Sequence, residues 1–421
     1  MSKLIIEGEH RLNGAVHIHG AKNSALPILA ATFLAGETCE IENCPLLSDV
    51  HAAIHILEHL GCRVEREGHT VCTNASQAEG YEVPDTLMRE MRSSIVFLGA
   101  IAAKSGRAQL SFPGGCELGP RPIDLHLAAL RQLGLRIDEE GGRLLCHVHG
   151  RLVGCPISLS FPSVGATENI LLAAVTAQGT TTIFNAAREP EIVDLCHFLT
   201  ACGARIRGAG EGTIVIEGVD RLHGCRHRVI PDRIETATYM GAAAITGGSL
   251  LLKDVYPEHV QALIPVFEET GCQVTAWRDE LLINAPGRLR RIRTIRTLPY
   301  PGFPTDAQAL VMALCCVAEG TSVFIETIFE SRYKHVCELM RMGANIKVEG
   351  RVAVVEGVSS LSGTSVECTD LRGGAALVLA GLAAAGTTEI TQLQHLERGY
   401  ETMAQTLAGV GAHILYDGAD V

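Results

Sequence analysis

One cysteine of this sequence stands in a segment whose composition predicts an accessible thiol. The segment PGGCELGPRPIDLH, residues 113–126, places three glycines and three prolines around Cys116 and Arg121. Glycine and proline at this density predict a lid-like loop, and loops carry functional residues disproportionately often. A neighbouring cation and a bound anion would make such a thiol reactive. We therefore interpret Cys116 as a candidate catalytic thiol, the alternative being an incidental loop cysteine.

Polar and charged residues also stand at the predicted N-terminal ends of six apolar helices. A helix N-terminus exposes unpaired N–H groups and the positive end of the helix dipole, so it binds phosphate and carboxylate groups. Lysine and arginine are not capping residues, so four cationic ends out of six favour an anionic ligand. The alternative, that Asn23, Ser163 and Thr305 are only N-caps, remains open. The residues at these ends are Lys22 and Asn23, Arg92, Ser163 and Thr167, Arg233 and Glu235, Thr305 and Asp306, and Asp370 and Arg372.

Other conspicuous patterns have simpler structural explanations. His51, His55 and His59 follow one another at i, i+4 and i+8, but they fall opposite the apolar face of their helix, which predicts a solvated face and not a metal site. The stretch GAGEG, residues 208–212, precedes the strand TIVIEG, so we interpret it as a hairpin turn and not as a dinucleotide loop. Arg398, in the segment HLERGYE, is either a ligand-binding or a surface arginine.

The elements that position these residues recur along the chain. Two kinds of glycine, each at the end of a helix and before a strand, repeat about every 70 residues, which divides the 421 residues into six units. Each unit is predicted as strand, apolar helix, strand, amphipathic helix and a two-stranded hairpin, with the glycines as left-handed helix C-caps. The marker glycines are Gly36, Gly106, Gly179, Gly247, Gly320 and Gly386, and Gly61, Gly134, Gly203, Gly271, Gly343 and Gly411.

One helix of each unit is apolar on nearly every side, as in ALPILAATFLA, residues 25–35. Such a helix is expected to be buried, which predicts helices inside and sheets outside. Six units around one axis would leave a void, so we predict two three-unit domains that meet near residues 210–230.

Composition excludes several classes of protein. The chain is 47% hydrophobic and 19% charged, so it can form a large core, and no segment is long and apolar enough for a membrane helix. A net charge of −12 and 4% aromatic residues argue against nucleic-acid binding. The 15 cysteines include no C-x-x-C pair. We expect reduced thiols in a cytoplasmic protein, with the fourteen apart from Cys116 serving as packing.

Nine segments in order along the chain resemble the UDP-N-acetylglucosamine 1-carboxyvinyltransferase family of enolpyruvyl transferases. The resemblance implies an α/β fold of two inside-out, barrel-like domains, each with three βαβαββ repeats. It also implies that residues 1–20 join residues 230–421 in one domain and that residues 21–229 form the other, with chain crossings near residues 21 and 229. The segments are GAKNSALPILAAT, PGGCELGPRPIDLH, FPSVGATEN, NAAREPEIVD, PDRIET, FPTDAQA, ETIFESRYKHV, TDLRGGAALVLAG and LERGYE.

The resemblance implies a cytoplasmic enzyme that moves the enolpyruvyl group of phosphoenolpyruvate to the 3-hydroxyl of UDP-N-acetylglucosamine, by addition and then elimination of phosphate, as the first committed step of peptidoglycan precursor synthesis. It implies Cys116 as the proton donor and Asp306 as the base. Lys22, Arg121 and Arg398 would hold phosphoenolpyruvate.

Further residues are implied as substrate contacts, and no metal or organic cofactor is required. Asn23 would support the site, Arg92 would lie near the sugar nucleotide, and Arg372, with Asp370, would lie near the phosphate. The remaining sugar-nucleotide contacts would be Pro122, Ile123, Asp124 and Leu125 after Arg121, with Ser163, Val164, Gly165 and Ile328. One departure concerns Phe161-Pro162, where some family members have Lys-Val, which removes a cationic contact to the nucleotide.

Two alternatives stay open at this point. One is 3-phosphoshikimate 1-carboxyvinyltransferase, which shares the fold and the chemistry but lacks the P-G-G-C loop and the R-P-x-D-L-H segment found here. The other is a non-catalytic duplicate that binds sugar nucleotide and regulates a partner. Neither a nucleic-acid partner nor a membrane span is expected, and the sequence leaves the oligomeric state open.

Overall fold

The computed structural model describes residues 2–112 and 123–418. Three residues with predicted roles, Cys116, Arg121 and Pro122, lie outside these described residues. The backbone of Arg92 is described, but its side chain is not.

Helices and strands follow the predicted repeat closely. The α-helices are α1 (Lys22–Ala35), α2 (Ser48–His59), α3 (Asp85–Glu90), α4 (Phe97–Ser105), α5 (Asp124–Gln132), α6 (Val164–Ala174), α7 (Pro190–Ala201), α8 (Arg233–Thr246), α9 (Ile264–Glu269), α10 (Thr305–Val317), α11 (Val336–Arg341), α12 (Leu371–Ala383) and α13 (Met403–Gly409). Short 3-10 helices occupy Arg92–Val96, Pro257–Val260 and Leu393–His395. The second repeat therefore departs from the prediction, because a 3-10 turn that starts at Arg92 precedes its buried helix.

Twenty-four described strands form six four-stranded sheets. They are β1 (Lys3–Glu7), β2 (Asn13–His17), β3 (Thr38–Glu42), β4 (Arg63–Glu67), β5 (Thr70–Asn74), β6 (Glu82–Val83), β7 (Arg107–Ser111), β8 (Leu135–Glu140), β9 (Arg143–Val148), β10 (Pro156–Ser158), β11 (Thr180–Phe184), β12 (Arg205–Arg207), β13 (Thr213–Glu217), β14 (Arg226–Arg228), β15 (Ser249–Lys253), β16 (Gln273–Ala276), β17 (Glu280–Asn284), β18 (Thr294–Arg296), β19 (Thr321–Ile325), β20 (Asn345–Glu349), β21 (Val352–Glu356), β22 (Ser365–Glu367), β23 (Thr387–Thr391) and β24 (His413–Asp417).

All six sheets share one pairing scheme, shown by the order β6-β7-β9-β8. The first two strands of that order are parallel, and the other two pairs are antiparallel. The remaining sheets have the orders β10-β11-β13-β12, β14-β3-β5-β4, β16-β17-β15-β2, β18-β19-β21-β20 and β22-β23-β1-β24.

The chain forms two compact units. The first unit consists of residues 20–112 and 123–230, and the second unit consists of residues 2–19 and 231–418. Strand β14 completes a sheet of the first unit by pairing with β3, whereas β2 pairs with β15 in the second unit. Strand β1 lies between β23 and β24, so the start of the chain supplies one strand of the sixth repeat.

Each unit has three buried helices packed against one another, α1, α4 and α6 in the first and α8, α10 and α12 in the second. Every residue of α1 except Asn23 is buried. Strands such as β5 and β13 alternate between buried and less buried residues, as expected for sheets with one face on a core. The predicted fold class, helices inside and sheets outside in two three-repeat units, is therefore confirmed.

The repeated glycines have the predicted backbone conformation. All twelve have positive φ, between 65° and 109°. A Cβ atom added at Gly179 or Gly386 would meet no other atom within 4 Å, so the conformation and not the available space favours glycine there. The predicted left-handed glycine cap is confirmed for Gly36, Gly106 and Gly247 at the ends of α1, α4 and α8. It is wrong for Gly179, Gly320 and Gly386, because α6, α10 and α12 end earlier, with Val175, Ala318 and Ala384 as their C-caps.

Two structural interpretations of conspicuous sequence patterns are confirmed, and one is wrong. His51, His55 and His59 are exposed, and residues 208–212 form the turn between β12 and β13. The expectation that all cysteines apart from Cys116 serve as packing is wrong for Cys337, which is exposed on the short helix α11. Its position follows a buried residue, Val336, and a one-residue step on a helix turns the side chain by about 100° toward solvent.

The described part of the chain contains no helix with the length and apolar composition of a membrane span.

Candidate functional site

A carboxylate held by two arginines occupies the N-terminal end of α10 in the second unit. Asp306 Oδ1 accepts hydrogen bonds from Arg332 Nη2 at 3.2 Å and from Arg372 Nε at 3.1 Å. The arginine side chains are only 3% and 6% exposed, whereas Asp306 is 30% exposed. The carboxylate is therefore fixed from the protein side and remains accessible to a ligand.

The electrostatics of this cluster keep Asp306 ionised. Burial by itself would raise the pKa of Asp306, but the positive charges of Arg372, Arg332 and Arg233 outweigh it and hold the pKa well below its usual range. The group is therefore a charged hydrogen-bond acceptor at neutral pH and an intrinsically weak base.

Arg372 is held in place by both its backbone and its side chain. Asp370 is the N-cap of α12 and accepts from the backbone N–H groups of Arg372 at 3.0 Å and of Gly373 at 3.1 Å. The guanidinium of Arg372 also donates to the Tyr400 hydroxyl at 3.3 Å, and that hydroxyl lies 2.8 Å from Thr238 Oγ1. Asp370 thus positions the helix end that carries Arg372.

A buried glutamate organises the turn that contains Ile328. Glu326 accepts from the Thr305 hydroxyl at 3.0 Å and from the Ile328 backbone N–H at 2.8 Å. It also accepts from the Thr297 hydroxyl at 2.9 Å. Glu326 therefore ties the first residue of α10 to the Ile328 turn. Because Thr305 donates to Glu326 and Pro304 precedes the helix, the alternative that Thr305 is an N-cap is wrong.

Three further charged residues of the second unit were predicted from the sequence. Arg398 is half-buried in the turn that follows the 3-10 helix Leu393–His395, two residues before Tyr400. Arg233 begins α8, whose N-cap is Asp232. Glu235, in the first turn of α8, accepts from the backbone N–H of His19 at 2.8 Å, and one of its carboxylate oxygens lies 2.9 Å from His19 Nδ1. Glu235 is therefore engaged by the chain segment that leads out of β2.

In the first unit, the N-terminal end of α1 presents a buried ion pair. Lys22 Nζ lies 2.9 Å from Asp49 Oδ2, and the two side chains are 10% and 3% exposed. Asp49 stands in the first turn of α2, so two helices of one repeat hold the lysine. Asn23 is half-buried, and the N-cap of α1 is Ala21, so the alternative that Asn23 is an N-cap is also wrong.

A second carboxylate fixes the next residue of α1. Asp194, on α7, accepts a short hydrogen bond from the Ser24 hydroxyl. It also accepts from the Ile230 backbone N–H at 3.3 Å and lies 2.9 Å from His227 Nε2. Asp194 therefore links the first turn of α1 to the strand β14 and to the residue where the first unit ends.

The Ser163–Gly165 turn packs against α5. Ser163 is the N-cap of α6 and accepts from the Ala166 backbone N–H at 3.3 Å, as an N-cap should. A Cβ atom on Gly165 would lie 2.8 Å from the ring of His126, so glycine allows this close approach. His126 is buried, which lowers its pKa to about 4, and its Nδ1 lies 2.9 Å from Asn169 Nδ2.

The remaining predicted contacts of the first unit lie at helix starts. Ile123 precedes α5, and Asp124 and Leu125 are its first residues, with Asp124 exposed. The backbone of Arg92 begins a 3-10 helix that leads into α4. Val164 begins α6 and, like Gly165, is half-buried. Every described sequence-predicted residue of this unit except Thr167 thus stands within two residues of a helix start, and Thr167 is the fourth residue of α6.

A buried carboxyl group near the start of α6 has the opposite character to Asp306. Burial raises the pKa of Glu168 to about 8, and the negative charges of Glu191 and Glu189 add to the effect. Glu168 is therefore a neutral acid through much of the physiological pH range.

The structure brings some predicted residues together and adds partners that sequence reasoning missed. Asp306 and Arg372, predicted separately, are in direct contact. Arg332, Glu326 and Asp49 were missed. The first two lie in ETIFESRYKHV, a segment already recognised as similar to a family, so its charged residues were the available signal. Asp49 carries no such signal, because only the fold brings it to Lys22.

Relatives in sequence cover almost the whole chain. Residues 6–407 match the family described as EPSP synthase (3-phosphoshikimate 1-carboxyvinyltransferase). The chain is 51% identical over 415 residues to UDP-N-acetylglucosamine 1-carboxyvinyltransferase 2 of Caldanaerobacter subterraneus subsp. tengcongensis, covering 99% of each chain. It is 46% identical over 416 residues to UDP-N-acetylglucosamine 1-carboxyvinyltransferase of a Psychrobacter species, covering 98% of this chain and 96% of that protein.

Solved structures show the same fold. The enolpyruvyl transferase NikO of Streptomyces tendae has a TM-score of 0.89 and 28% identity, over 100% of this chain and 99% of that one. An EPSP synthase of Acinetobacter baumannii, at 19% identity over 99% of this chain and 100% of that one, has a TM-score of 0.78 and shows the fold alone. The match over residues 6–407 and the full-length relatives together establish that the chain belongs to the EPSP synthase (3-phosphoshikimate 1-carboxyvinyltransferase) family of enolpyruvyl transferases.

Proposed function

We propose that this protein is a UDP-N-acetylglucosamine 1-carboxyvinyltransferase, which transfers the enolpyruvyl group of phosphoenolpyruvate to the 3-hydroxyl of UDP-N-acetylglucosamine and releases phosphate. The observation that carries the proposal is the identity of 46–51% over nearly the full chain to proteins of that name. The reaction opens peptidoglycan precursor synthesis. We place it in the cytoplasm, because the fourteen described cysteines are all free thiols, as in a reducing compartment.

The proposed reaction needs three proton transfers, two in the addition and one in the elimination. In the addition, the methylene carbon of phosphoenolpyruvate gains a proton and the neighbouring carbon becomes electrophilic. The sugar oxygen then bonds to that carbon and loses its proton, which gives a tetrahedral ketal. In the elimination, the ketal loses phosphate and a proton from the new methyl group, which restores the enol ether.

We assign the first proton to Cys116. An ordinary thiol has a pKa near 8.5 and is largely protonated at neutral pH, so it can donate without further activation. Arg121, five residues later, would bind the anionic substrate, and Pro122 belongs to the same segment. These roles follow from the resemblance of PGGCELGPRPIDLH to the family and are tested below.

We assign the second proton to Asp306. Its low pKa makes it a weak base, but a hydroxyl oxygen that is bonding to an electrophilic carbon becomes strongly acidic. A weak base in the right place then suffices, and positioning supplies most of the effect. Arg332 and Arg372 fix the carboxylate by direct hydrogen bonds, which is the positioning that this role requires.

We assign the binding of phosphoenolpyruvate to Lys22, Arg121 and Arg398. Asp49 holds the Lys22 ammonium in one position, so the cation is oriented before substrate arrives. Asn23 would support this binding, and Arg372 would act near the phosphate because its guanidinium is anchored at the start of α12.

We assign the nucleotide to residues at helix starts of the first unit. The nucleotide would be contacted by Arg92, by Ile123, Asp124 and Leu125, and by the turn of Ser163, Val164 and Gly165. Ile328 is assigned as a further contact of the sugar nucleotide. Backbone N–H groups at the start of α6 suit a diphosphate. Phe161, which replaces a lysine of some family members, is exposed and offers no charge, so backbone contacts would carry more of the affinity.

The experiment that tests the reaction is a phosphate-release assay with purified full-length protein. We expect release with phosphoenolpyruvate and UDP-N-acetylglucosamine, and none when shikimate 3-phosphate replaces the sugar nucleotide. The opposite pattern would support the 3-phosphoshikimate enzyme, and no release with either acceptor would support a non-catalytic binding protein.

The role of Cys116 has its own test. Cys116→Ala should lose most turnover while it keeps the thermal unfolding midpoint, and normal turnover would disprove the proton-donor assignment. Fosfomycin, an epoxide phosphonate that mimics phosphoenolpyruvate, should add one covalent mass to the wild type and none to Cys116→Ala. An adduct on another residue, with the exposed Cys337 as the first to examine, would contradict the assignment.

A further inference from the structure

We infer that Glu7, His10 and His413, in the second unit, form a binding site for a divalent transition-metal ion, and that Zn²⁺ fits it. One ligand atom of each side chain lies within 4.8 Å of the ligand atoms of the other two. None of the three residues takes part in the proposed transfer reaction. The site is therefore independent of that function.

The sheet places two of the ligands side by side. Glu7 ends β1 and pairs directly with His413, the first residue of β24, in an antiparallel register. Side chains directly opposite each other on neighbouring strands lie close together on the same face of the sheet. His413 Nδ1 lies 3.3 Å from Glu7 Oε2, so the pair is already in contact.

The third ligand is held against this pair. The ring of His10 stacks on that of His413 with 3.6 Å between ring centroids and 23° between ring planes. His10 follows a short turn after β1, in which Glu9 has a φ of 64°. The turn thus folds back and brings His10 next to a residue that lies 403 positions later in the chain.

The donor set matches zinc chemistry. Two imidazole nitrogens and one carboxylate oxygen are common ligands of zinc sites that keep a fourth position for water. With zinc–ligand bonds of about 2.0–2.2 Å, ligand atoms of a tetrahedral site lie about 3.3 Å apart. His413 Nδ1 and Glu7 Oε2 already have that separation, and rotation of the His10 ring about its soft Cβ–Cγ bond turns a nitrogen toward them.

The location gives such a site a structural consequence. Strand β1 comes from the start of the chain and lies between β23 and β24, the last strands of the chain. An ion bound by Glu7, His10 and His413 would fasten the first strand to the last one. Because the folded sheet brings the ligands together, metal binding should raise the temperature at which the protein unfolds.

The chain offers a matched control. His17 and Asp254 form another exposed pair, with His17 Nδ1 2.7 Å from Asp254 Oδ2, and their side chains are exposed to a similar degree. This pair has one imidazole and one carboxylate, but among the described residues no third ligand lies near it. It should therefore contribute little to zinc affinity.

The experiment is calorimetric titration of ZnCl₂ into chelator-treated, full-length protein, with thermal unfolding as a second readout. Thiols elsewhere also bind zinc, so the quantity of interest is the difference between the wild type and each variant. We expect His10→Ala, His413→Gln and Glu7→Gln each to bind one zinc ion fewer, or to bind it at least tenfold more weakly. His17→Ala should match the wild type.

Thermal unfolding separates a lost site from a damaged fold. Without metal, the variants should unfold within a degree or two of the wild type, because the three side chains are exposed or half-buried. With saturating Zn²⁺, the midpoint should rise in the wild type and in His17→Ala and rise less in the other variants. Equal zinc stoichiometry and affinity in all four variants and the wild type would overturn the inference.

Discussion

Each unit has a carboxyl group near the start of one of its central helices, and the two groups stand in opposite electrostatic environments. Glu168, on α6 of the first unit, has only glutamates as its nearest charges, and burial raises its pKa to about 8. Asp306, on α10 of the second unit, is surrounded by Arg372, Arg332 and Arg233, which lower its pKa below the usual range. Two carboxyl groups near the starts of buried helices thus differ in charge, Glu168 as a neutral acid in one unit and Asp306 as an anion in the other.

This difference shows that the repeat constrains the residues after its helices more strongly than the residues at the helix N-termini. A glycine with positive φ follows the amphipathic helix in all six repeats, because the chain must turn there. The N-terminal ends need only some partner for their N–H groups, and many residue types can supply one. Catalytic and substrate-binding side chains can therefore occupy the N-terminal ends of the helices without a change in the fold.

The largest expected effect tests the anion of the second unit. Asp306→Asn keeps the shape of the side chain but removes the charge that accepts the sugar proton. We expect kcat to fall roughly a thousandfold, within the range of about 10²–10⁴ for lost proton transfer. The phosphate-release assay measures it. Asp254→Asn, which removes an exposed carboxylate from the same unit, should keep normal turnover, and a similar loss in both variants would refute the role of Asp306.

The next effect concerns the ion pair of the first unit. Lys22→Met leaves Asp49 buried without its cation, which should cost about 3 kcal/mol of unfolding free energy in urea titrations. The double variant Lys22→Met with Asp49→Leu should recover most of that stability, because two apolar groups can replace a buried ion pair. Activity should be lost in both. Restored activity in the double variant would show that Lys22 is needed only for folding.

A smaller effect should distinguish the two carboxyl groups by pH. The pKa of Glu168 is raised in the folded state, so between about pH 4.3 and pH 8 the folded protein still holds a proton that the unfolded chain has released. The free energy of unfolding therefore falls as the pH rises through this range. Glu168→Gln removes that loss. Its stability relative to the wild type should increase by about 2 kcal/mol between pH 5.5 and pH 7.5.

The control for this prediction is an exposed glutamate, Glu211, in the turn between β12 and β13. Glu211→Gln should track the wild type at every pH. For Asp306 the sign is opposite: its lowered pKa gives stability that is present at neutral pH and is lost only as pH falls below the usual range of an aspartate. If the free energy of unfolding of Glu168→Gln and of the wild type changed with pH in the same way, Glu168 could not be a buried neutral acid.

The smallest effect tests the shared scaffold. Gly179→Ala in the first unit and Gly386→Ala in the second unit replace equivalent glycines, with φ of 91° and 86° and open space around both. Each should lose about 1 kcal/mol of unfolding free energy, because a Cβ atom is disfavoured in the left-handed region. Gly212→Ala, at a glycine without positive φ and with equal space, should lose less than either. Very different losses of unfolding free energy in Gly179→Ala and Gly386→Ala would mean that a positive-φ glycine does not contribute equally to stability in the two repeats.

Much of the fold followed from local patterns in the sequence. The glycine period predicted six repeats, and the apolar helices predicted their own burial, because both depend on neighbours within one turn or one helix. The candidate site was predicted less completely. Arg332 was missed although it lies 26 residues from Asp306, and Asp49 was missed although it lies 27 residues from Lys22. Each contact joins two separate elements, and no local pattern encodes which elements meet.

The sequence by itself determined the repeat, the inside-out arrangement of helices and sheets, the candidate residues at the helix starts and the family. The tertiary structure decided how those residues are charged and held, because the pKa of a carboxyl group depends on burial and on charges contributed by distant segments. It also decided that β1 joins the last sheet and that Cys337 is exposed. Backbone conformation and the apolar pattern of a helix are local properties of a chain, whereas electrostatic environment and strand exchange exist only once the chain has folded.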